Sequence, residues 1–335
     1  MNVLIIGGTG LLGLETAKEL IKRGHKVKGL TLPEYPQNLE IPEGMELVAC
    51  NYETLSDNEV KKLLRNQDRL IFAAGVDERI MHKGDPYEFY KSRNITPLKR
   101  LLALAKEMKV KGAIVCGSYF SYLDRVFENL YLYENNPYIK SRIDQSNEAL
   151  SFADNEFSVT VLELPYIFGV QPGRKPVWVF LVEKLLKMKF ASFYPRGGTA
   201  MITVNQAAQA IASAAETSKG AKNIAVGYYN LTWKKMIKAM HKGMGVPNRK
   251  VITVPKWLFK LALIKEKRQY KKAGIQPGLS FKSLAEIMTR RAYIDNNYVK
   301  TILKVKPDDI EQAIIDSTKL SLEIIKNNMQ TIDMK

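Results

Sequence analysis

With 335 residues, 46% of them hydrophobic and 25% charged, the chain has the composition of a globular protein long enough for one elaborated domain or two. Its formal net charge of +17 favours anionic ligands. It holds no run of about eighteen uncharged apolar residues and starts directly into a strand, so we expect neither a membrane span nor a signal peptide, and a cytoplasmic protein. Cys50 and Cys116 each close an apolar run, as buried thiols do, and His25, His82 and His241 are too scattered to hold a metal, so none is expected.

Val3 to Ile6 reads as a buried parallel strand, and Gly7, Gly10 and Gly13 follow where the chain must turn into a helix. Gly7 permits the tight turn, Gly10 lets a pyrophosphate approach the backbone, and Gly13 lets the helix pack on the strand, with Thr9, Leu11 and Leu12 completing the cradle. A P-loop is disfavoured because no Gly-Lys-Ser/Thr follows. The apolar spacing predicts a helix over Leu11 to Lys22, ended by Gly24, and a second strand over Lys26 to Leu32. In dinucleotide sites an acidic residue at the end of that strand holds the adenosine ribose. Here the place falls on Thr31 or Leu32, so the selector is absent and NAD and NADP both stay open.

A third strand over Glu46 to Cys50, a helix over Ser56 to Arg65 and a fourth strand over Arg69 to Ala73 come next, the last ending in Ala73-Ala74-Gly75. Thr96 to Lys109 reads as a helix, Gly112 to Cys116 as the fifth strand, and Ser158 to Leu164 as the sixth after a helix opened by Tyr138. This alternation implies a doubly wound, Rossmann-type α/β fold with a parallel sheet and a ligand at the strands' carboxyl ends.

Ordered together, Gly7-Gly-Thr-Gly-Leu-Leu-Gly13, Ala73-Ala74-Gly75, Asn94, Gly117-Ser118, Tyr138 with Ser141, and Leu164-Pro-Tyr-Ile-Phe-Gly169 resemble the extended short-chain dehydrogenase/reductase family, in its NAD(P)-dependent epimerase/dehydratase branch. The resemblance covers the first two-thirds of the chain, and Gly227-Tyr-Tyr-Asn-Leu231 with the stretch from Pro307 looks like the family's ending. It implies a tyrosine acting as acid or base, a serine that orients substrate, and a lysine four residues after the tyrosine. On the matching positions these are Tyr138, Ser118 and, in place of lysine, Arg142, with Asn94 as a further catalytic candidate. Arginine keeps the charge but is never deprotonated, so a lysine-type proton relay is in doubt. Lys140 cannot replace it, because positions two apart on a helix diverge, and a second match, Tyr87-Glu-Phe-Tyr-Lys91, lies too early to sit beside Ser118. The resemblance also places cofactor contacts at Asn51 and Tyr52, at Ala73, Ala74 and Gly75, and at Pro165, Tyr166 and Ile167. Asn51 stands where relatives carry aspartate toward the adenine amino group, and Glu163 where they often carry arginine.

Beyond Gly169 the Gly/Pro-rich stretch to Trp178 reads as a loop over the site, followed by a helix over Val179 to Met188. Arg174, Lys175 and Arg196 are candidates to clamp a substrate phosphate or carboxylate. Met201 to Val204 and a helix over Gln206 to Thr217 are expected to return to the main sheet. This divides the chain into a dinucleotide-binding domain, 1–169 with about 200–230, and a smaller, mostly helical C-terminal substrate part, about 170–199 with 231–335. Lys256 to Lys272 is basic and amphipathic; a helix with its apolar face in the core is preferred over a membrane-surface role. No nucleic-acid module accompanies the charge, and the sequence allows a homodimer without specifying one. The expected function is an NAD(P)-dependent epimerase/dehydratase or reductase on a nucleotide-sugar-like or other hydroxyl/carbonyl substrate, with a non-catalytic NAD(P)-binding sensor as the alternative.

Overall fold

The computed structural model describes residues 1–36, 39–80 and 82–327. Its strands in chain order are β1 (Asn2–Ile6), β2 (Lys26–Thr31), β3 (Met45–Ala49), β4 (Arg69–Phe72), β5 (Gly112–Ser118), β6 (Ser158–Leu164), β7 (Tyr166–Phe168), β8 (Ala191–Pro195), β9 (Gly198–Thr203), β10 (Ala221–Ala225), β11 (Tyr229–Thr232), β12 (Lys250–Val254) and β13 (Arg291–Ala292). Seven of them form one sheet in the order β10-β6-β5-β4-β1-β2-β3, and every neighbouring pair in it is parallel. The order reverses on either side of β1, which opens the crevice at the carboxyl ends of β1 and β4.

Alternation along β1 shows why the sheet is covered on both faces. Val3 and Ile5 join Leu14, Ala17 and Leu20 of helix Leu11–Lys22 and Ile211 of helix Val204–Thr217. Leu4 and Ile6 point the other way, toward Val60, Leu64, Leu98 and Leu101. Helices Asp57–Leu64, Thr96–Glu107 and Pro137–Ser151 supply that second layer. Ser56 caps the first of these with a full capping box, which fixes its start one residue after the cap.

Two expectations are revised, and one stretch without an expected element acquires one. Met201 to Val204 does not return to the main sheet: β9 is central in a four-stranded sheet with β7, β11 and β13, and it is β10 that completes the seven-stranded sheet beside β6. Residues 86–95, given no element by the sequence, form a short helix, Pro86–Tyr90, capped by Asp85 and running into a π-helical turn, Lys91–Ile95. Helix Lys256–Lys272 turns only part of its apolar surface into the core, where Phe259 packs. Leu263 is its buried residue, whereas Trp257, Leu258, Leu261 and Ile264 are exposed. The reason is its edge position: it packs on helix Phe281–Met288 and on β8, and among the described residues its opposite side carries no further layer.

A third core holds the C-terminal part together. Trp178, Leu181, Trp233, Met236, Met240, Ile310 and Ile314 pack helices Val179–Leu186, Trp233–Gly243 and Ile310–Asn327 against Phe168 and Met201. These elements stand over the carboxyl-end crevice through β7, which follows β6 after the single residue Pro165.

Candidate functional site

The first half of the site is the turn after β1. Gly7 has φ +85°, and a Cβ there would lie 2.9 Å from the Ala73 carbonyl oxygen; a Cβ on Gly13 would lie 2.1 Å from the Gly7 oxygen. Larger residues would therefore push the turn off β4 and the helix off the turn. Helix Leu11–Lys22 begins at Gly10 with no side-chain cap and no acidic residue in its first turn. Its leading N–H groups and the positive end of its dipole are left for an anion.

Thr9 is the hub of this turn. Its hydroxyl meets the Thr31 hydroxyl at 2.5 Å, so the residue at the ribose-selector place is tied to the turn. Its carbonyl accepts hydrogen bonds from Gln171 Nε2 at 2.8 Å and Arg174 Nε at 3.1 Å, and Arg174 Nη2 donates to its hydroxyl at 3.2 Å. Arg174, expected as a substrate clamp, thus lies on the glycine turn. Burial lowers its pKa, and among the described residues no carboxylate pairs with it. Gln171 is buried, with its Oε1 unpartnered, an acceptor suited to a ribose hydroxyl. Together with Leu11, Ile167, Lys175 and Trp178 these residues line a narrow crevice. Sequence reading missed Gln171; its place between Gly169 and Gly173 in the Gly/Pro loop was the available signal.

The second half lies at the ends of β4 and β5 and the start of helix Pro137–Ser151. Ala73, Ala74 and Gly75 follow β4, and the chain continues into Asp77, Glu78 and Arg79. Arg79 pairs with Asp77 and donates to the Val177 carbonyl at 2.8 Å, tying this loop to the 170–178 segment. Asn94 is fully buried in the π-helical turn, its amide accepting from Val76 N at 2.8 Å and donating to Val76 O at 3.1 Å. Its side chain therefore holds the loop after β4 through the backbone of Val76.

Ser118 ends β5 and caps helix Tyr119–Val126, its hydroxyl accepting from Phe120 N at 3.4 Å. Tyr138 opens the next long helix and is buried, with ring centroids of Tyr90 at 5.2 Å and Phe120 at 6.0 Å. Its phenol is pushed up to about 12, first by burial; Arg142 pulls it down, Glu78 and Asp77 push it up, and the hydrogen bond from Ser118 lowers it. Arg142 places its guanidinium carbon 5.9 Å from the Tyr138 ring centroid and donates from Nη2 to the Cys116 carbonyl at 2.8 Å, while its buried Nε has no partner. Lys140 points elsewhere, over the rings of Tyr87 and Tyr133 at 4.7 and 5.5 Å.

Glu78, which sequence reading also missed, faces this group. Burial and Asp77 raise its carboxyl pKa, against Arg79 and Arg142. Its signal was its place three residues after Ala73-Ala74-Gly75. The partner of buried Glu163 is Arg125, which donates at 2.8 and 2.7 Å from the helix that Ser118 caps.

With this geometry in place, a family model described as the NAD dependent epimerase/dehydratase family matches residues 3–226. The chain belongs to that family. Similar solved structures include gox2253 (TM-score 0.72, 19% identity, 98% of this chain and 99% of that one) and the UDP-glucuronic acid 4-epimerase from Bacillus cereus in complex with NAD (TM-score 0.68, 15% identity, 98% and 99%). Another is the UDP-N-acetylglucosamine 4-epimerase from Methanobrevibacter ruminantium M1 in complex with UDP-N-acetylmuramic acid (TM-score 0.63, 15% identity, 98% and 99%). At these identities the likeness is one of fold. No curated protein matches the sequence.

Within this epimerase/dehydratase fold the remaining expected positions fall as follows. Asn51 is engaged locally: its Oδ1 accepts from Glu53 N at 3.1 Å. Neighbouring Tyr52 gives its carbonyl to Arg100, and burial pushes its phenol upward. Tyr166 lies in an aromatic chain with Tyr119, Trp178 and Trp233, and Ile167 accepts the Trp178 indole N–H at 3.0 Å. Pro165 is the buried link between β6 and β7. Arg196 is exposed after β8, with its backbone bound to the Val254 carbonyl and, among the described residues, no side-chain partner. Lys175 sits in the crevice wall beside Arg174. Among the described residues no group of His, Cys, Asp or Glu could hold a metal ion, and none forms a helix long and apolar enough to cross a membrane.

Proposed function

We propose that this chain is an NAD(P)-dependent epimerase/dehydratase or reductase acting on a nucleotide-sugar-like or other hydroxyl/carbonyl substrate. The observation that carries the reading is that the uncapped helix start after Gly10 and the Ser118, Tyr138 and Arg142 group belong to one carboxyl edge of one parallel sheet. The residues present fit a dinucleotide. Unpaired N–H groups at the start of helix Leu11–Lys22 suit its pyrophosphate, and the orphaned Gln171 Oε1 and Arg142 Nε suit ribose hydroxyls.

When bound, the nicotinamide supplies a hydride acceptor and donor. The chain's own residues do the rest. Ser118 orients the substrate oxygen, and Tyr138 takes or returns its proton. Arg142 holds positive charge near the phenol and so favours the phenolate. Arg174 and Gln171 brace the glycine turn through Thr9, and Arg174 offers its charge to the cofactor's phosphates. We assign residues 1–169 and about 200–230 to cofactor binding and the rest to substrate. The reading places the protein in the cytoplasm, where Cys50 and Cys116 remain free thiols, and allows a homodimer.

One observation favours the alternative of a non-catalytic dinucleotide-binding protein: Arg142 spends a donor on the Cys116 carbonyl, where the family's lysine is expected to serve the cofactor and tyrosine. Tyr138→Phe separates the two readings. Turnover on sugar nucleotides or simple carbonyls is expected to disappear while dinucleotide binding stays near wild type. Undiminished turnover in that variant defeats the assignment, and dinucleotide binding without turnover by the wild type leaves the alternative.

A further inference from the structure

Helix Lys256–Lys272 presents part of its apolar surface outward. Positions 257, 261 and 264 stand at i, i+4 and i+7, one stripe of an α-helix, and Leu258 widens it. Trp257 is 63% exposed and Leu261 53%, with Leu258 and Ile264 at 40% each. Scattered exposed apolar side chains need no explanation, but an aligned stripe led by a tryptophan does.

The opposite side of the helix is accounted for. Leu263 is buried, Phe259 and Tyr270 are half-buried, and Tyr270 packs on Phe281 at 5.5 Å. The helix is thus fixed to the body, and its stripe is presented on a rigid element.

Charge identifies the occupant. The segment carries seven basic residues and one acidic, a net of +6. Lys256 and Lys260 pair with Glu286, but Lys265, Lys267, Arg268, Lys271 and Lys272 have no ion-pair partner among the described residues. Next to the helix in the chain, β12 pairs with β8, and the register partners Ile252 and Phe193 are both exposed, with Phe190 93% exposed just before β8. Lys187, Lys189 and Lys250 border these residues and are exposed. A second copy of the chain would bring the same positive charge against this surface, which opposes self-association. A lipid surface with acidic headgroups satisfies both parts: the stripe enters the acyl boundary, tryptophan sits at headgroup level, and the lysines meet anionic phosphates. At 17 residues and this charge the helix lies on a bilayer and does not span it.

We propose that helix Lys256–Lys272 docks the protein on anionic membrane surfaces, with the exposed Phe190, Phe193 and Ile252 edge as an auxiliary contact. This adds an outward role to the core-facing side that the sequence led us to expect, and it stands apart from the proposed chemistry.

The test uses the full chain and vesicles of phosphatidylcholine alone or mixed with phosphatidylglycerol. Flotation is expected with the mixed vesicles, falling on the order of tenfold with phosphatidylcholine alone or at high salt. Trp178 and Trp233 are buried, so a blue shift and loss of acrylamide quenching on vesicle addition reports Trp257. The double variant Trp257→Ser, Leu261→Ser should lose on the order of tenfold or more in partitioning. A second variant, Lys265→Glu with Lys267→Glu, should abolish the preference for anionic lipid while leaving the thermal melt unchanged. The proposal is overturned by absence of flotation with anionic vesicles, or by binding that both variants leave intact. It is equally overturned by concentration-dependent self-association in lipid-free buffer that the Trp257→Ser, Leu261→Ser variant removes.

Discussion

Replacing Arg142 with glutamine removes the cation that most lowers the pKa of the Tyr138 phenol and is the sharpest perturbation of the proposed chemistry. With its pKa at about 12, the phenol is ionised at neutral pH to roughly one part in 10^5, an unfavourable ~7 kcal/mol. A unit charge 5.9 Å from the ring contributes about 3 kcal/mol at an effective dielectric constant near 20, or roughly two pKa units. Arg142→Gln should therefore raise the phenol's pKa by about that much, and the proton-transfer step should slow roughly 100-fold at fixed pH. The sign follows from the acid involved. A base that must lose a proton gains activity as pH rises toward its pKa, so the variant's pH profile in the direction of alcohol oxidation should move to higher pH. Arg142→Lys keeps a cation and should recover part of the rate, although a lysine is shorter and hydrogen-bonds as a point donor. The assay is kcat and kcat/KM against pH for the three proteins, with dinucleotide affinity measured separately. A loss below about threefold with an unmoved profile would refute the electrostatic role of Arg142.

Three further outcomes are expected. Glu163 has a fully buried side chain bonded twice to Arg125, whose own side chain is half exposed, so Arg125→Ala should cost about 1–3 kcal/mol in urea unfolding, whereas pairing it with Glu163→Gln should recover much of the loss; a cost under ~0.5 kcal/mol would show that the pair contributes little. Burial holds His241 below the ordinary imidazole value near 6.5, so its contribution to stability is complete above that value and is lost as pH falls through its lower folded-state pKa; His241→Gln, followed by thermal melts across mildly acidic pH, should flatten that slope, and an unchanged slope would assign it to other groups. Arg174→Met should weaken dinucleotide binding about tenfold or more by calorimetry, the size of one charge-assisted phosphate contact, and unchanged affinity would return Arg174 to a bracing role through Thr9.

The elements of the seven-stranded sheet were largely legible because each signal is local. An apolar run ending in glycine marks β1 and its turn, and Ser56 with Glu59 marks a helix start. What escaped was set by contacts distant in sequence. Nothing within Ala221–Ala225, with its lysine and asparagine, announces a sheet strand; β10 exists because β6 leaves it a free edge. Met201 to Val204 looked like a sheet strand and is one, but its partners β7, β11 and β13 decide which sheet it joins. The same holds in the site. Tyr138, Ser118 and Arg142 could be placed in order from the sequence, but Arg174 meets Thr9 across 165 positions, and Glu163 meets Arg125 across 38. The amphipathic pattern of Lys256–Lys272 was legible too. Which of its faces has a neighbour was not, because that depends on where the helix lies at the edge of the fold.

The central claim is that a dinucleotide occupies the turn from Gly7 to Gly13 and that Tyr138 works upon the substrate beside it. Calorimetric titration of NAD and NADP into the wild type and Tyr138→Phe, run alongside turnover of the same preparations, tests both halves at once. Saturable one-to-one binding of at least one dinucleotide to both proteins, with turnover confined to the wild type, is the predicted result. Absence of binding to the wild type, or full turnover by Tyr138→Phe, would contradict it.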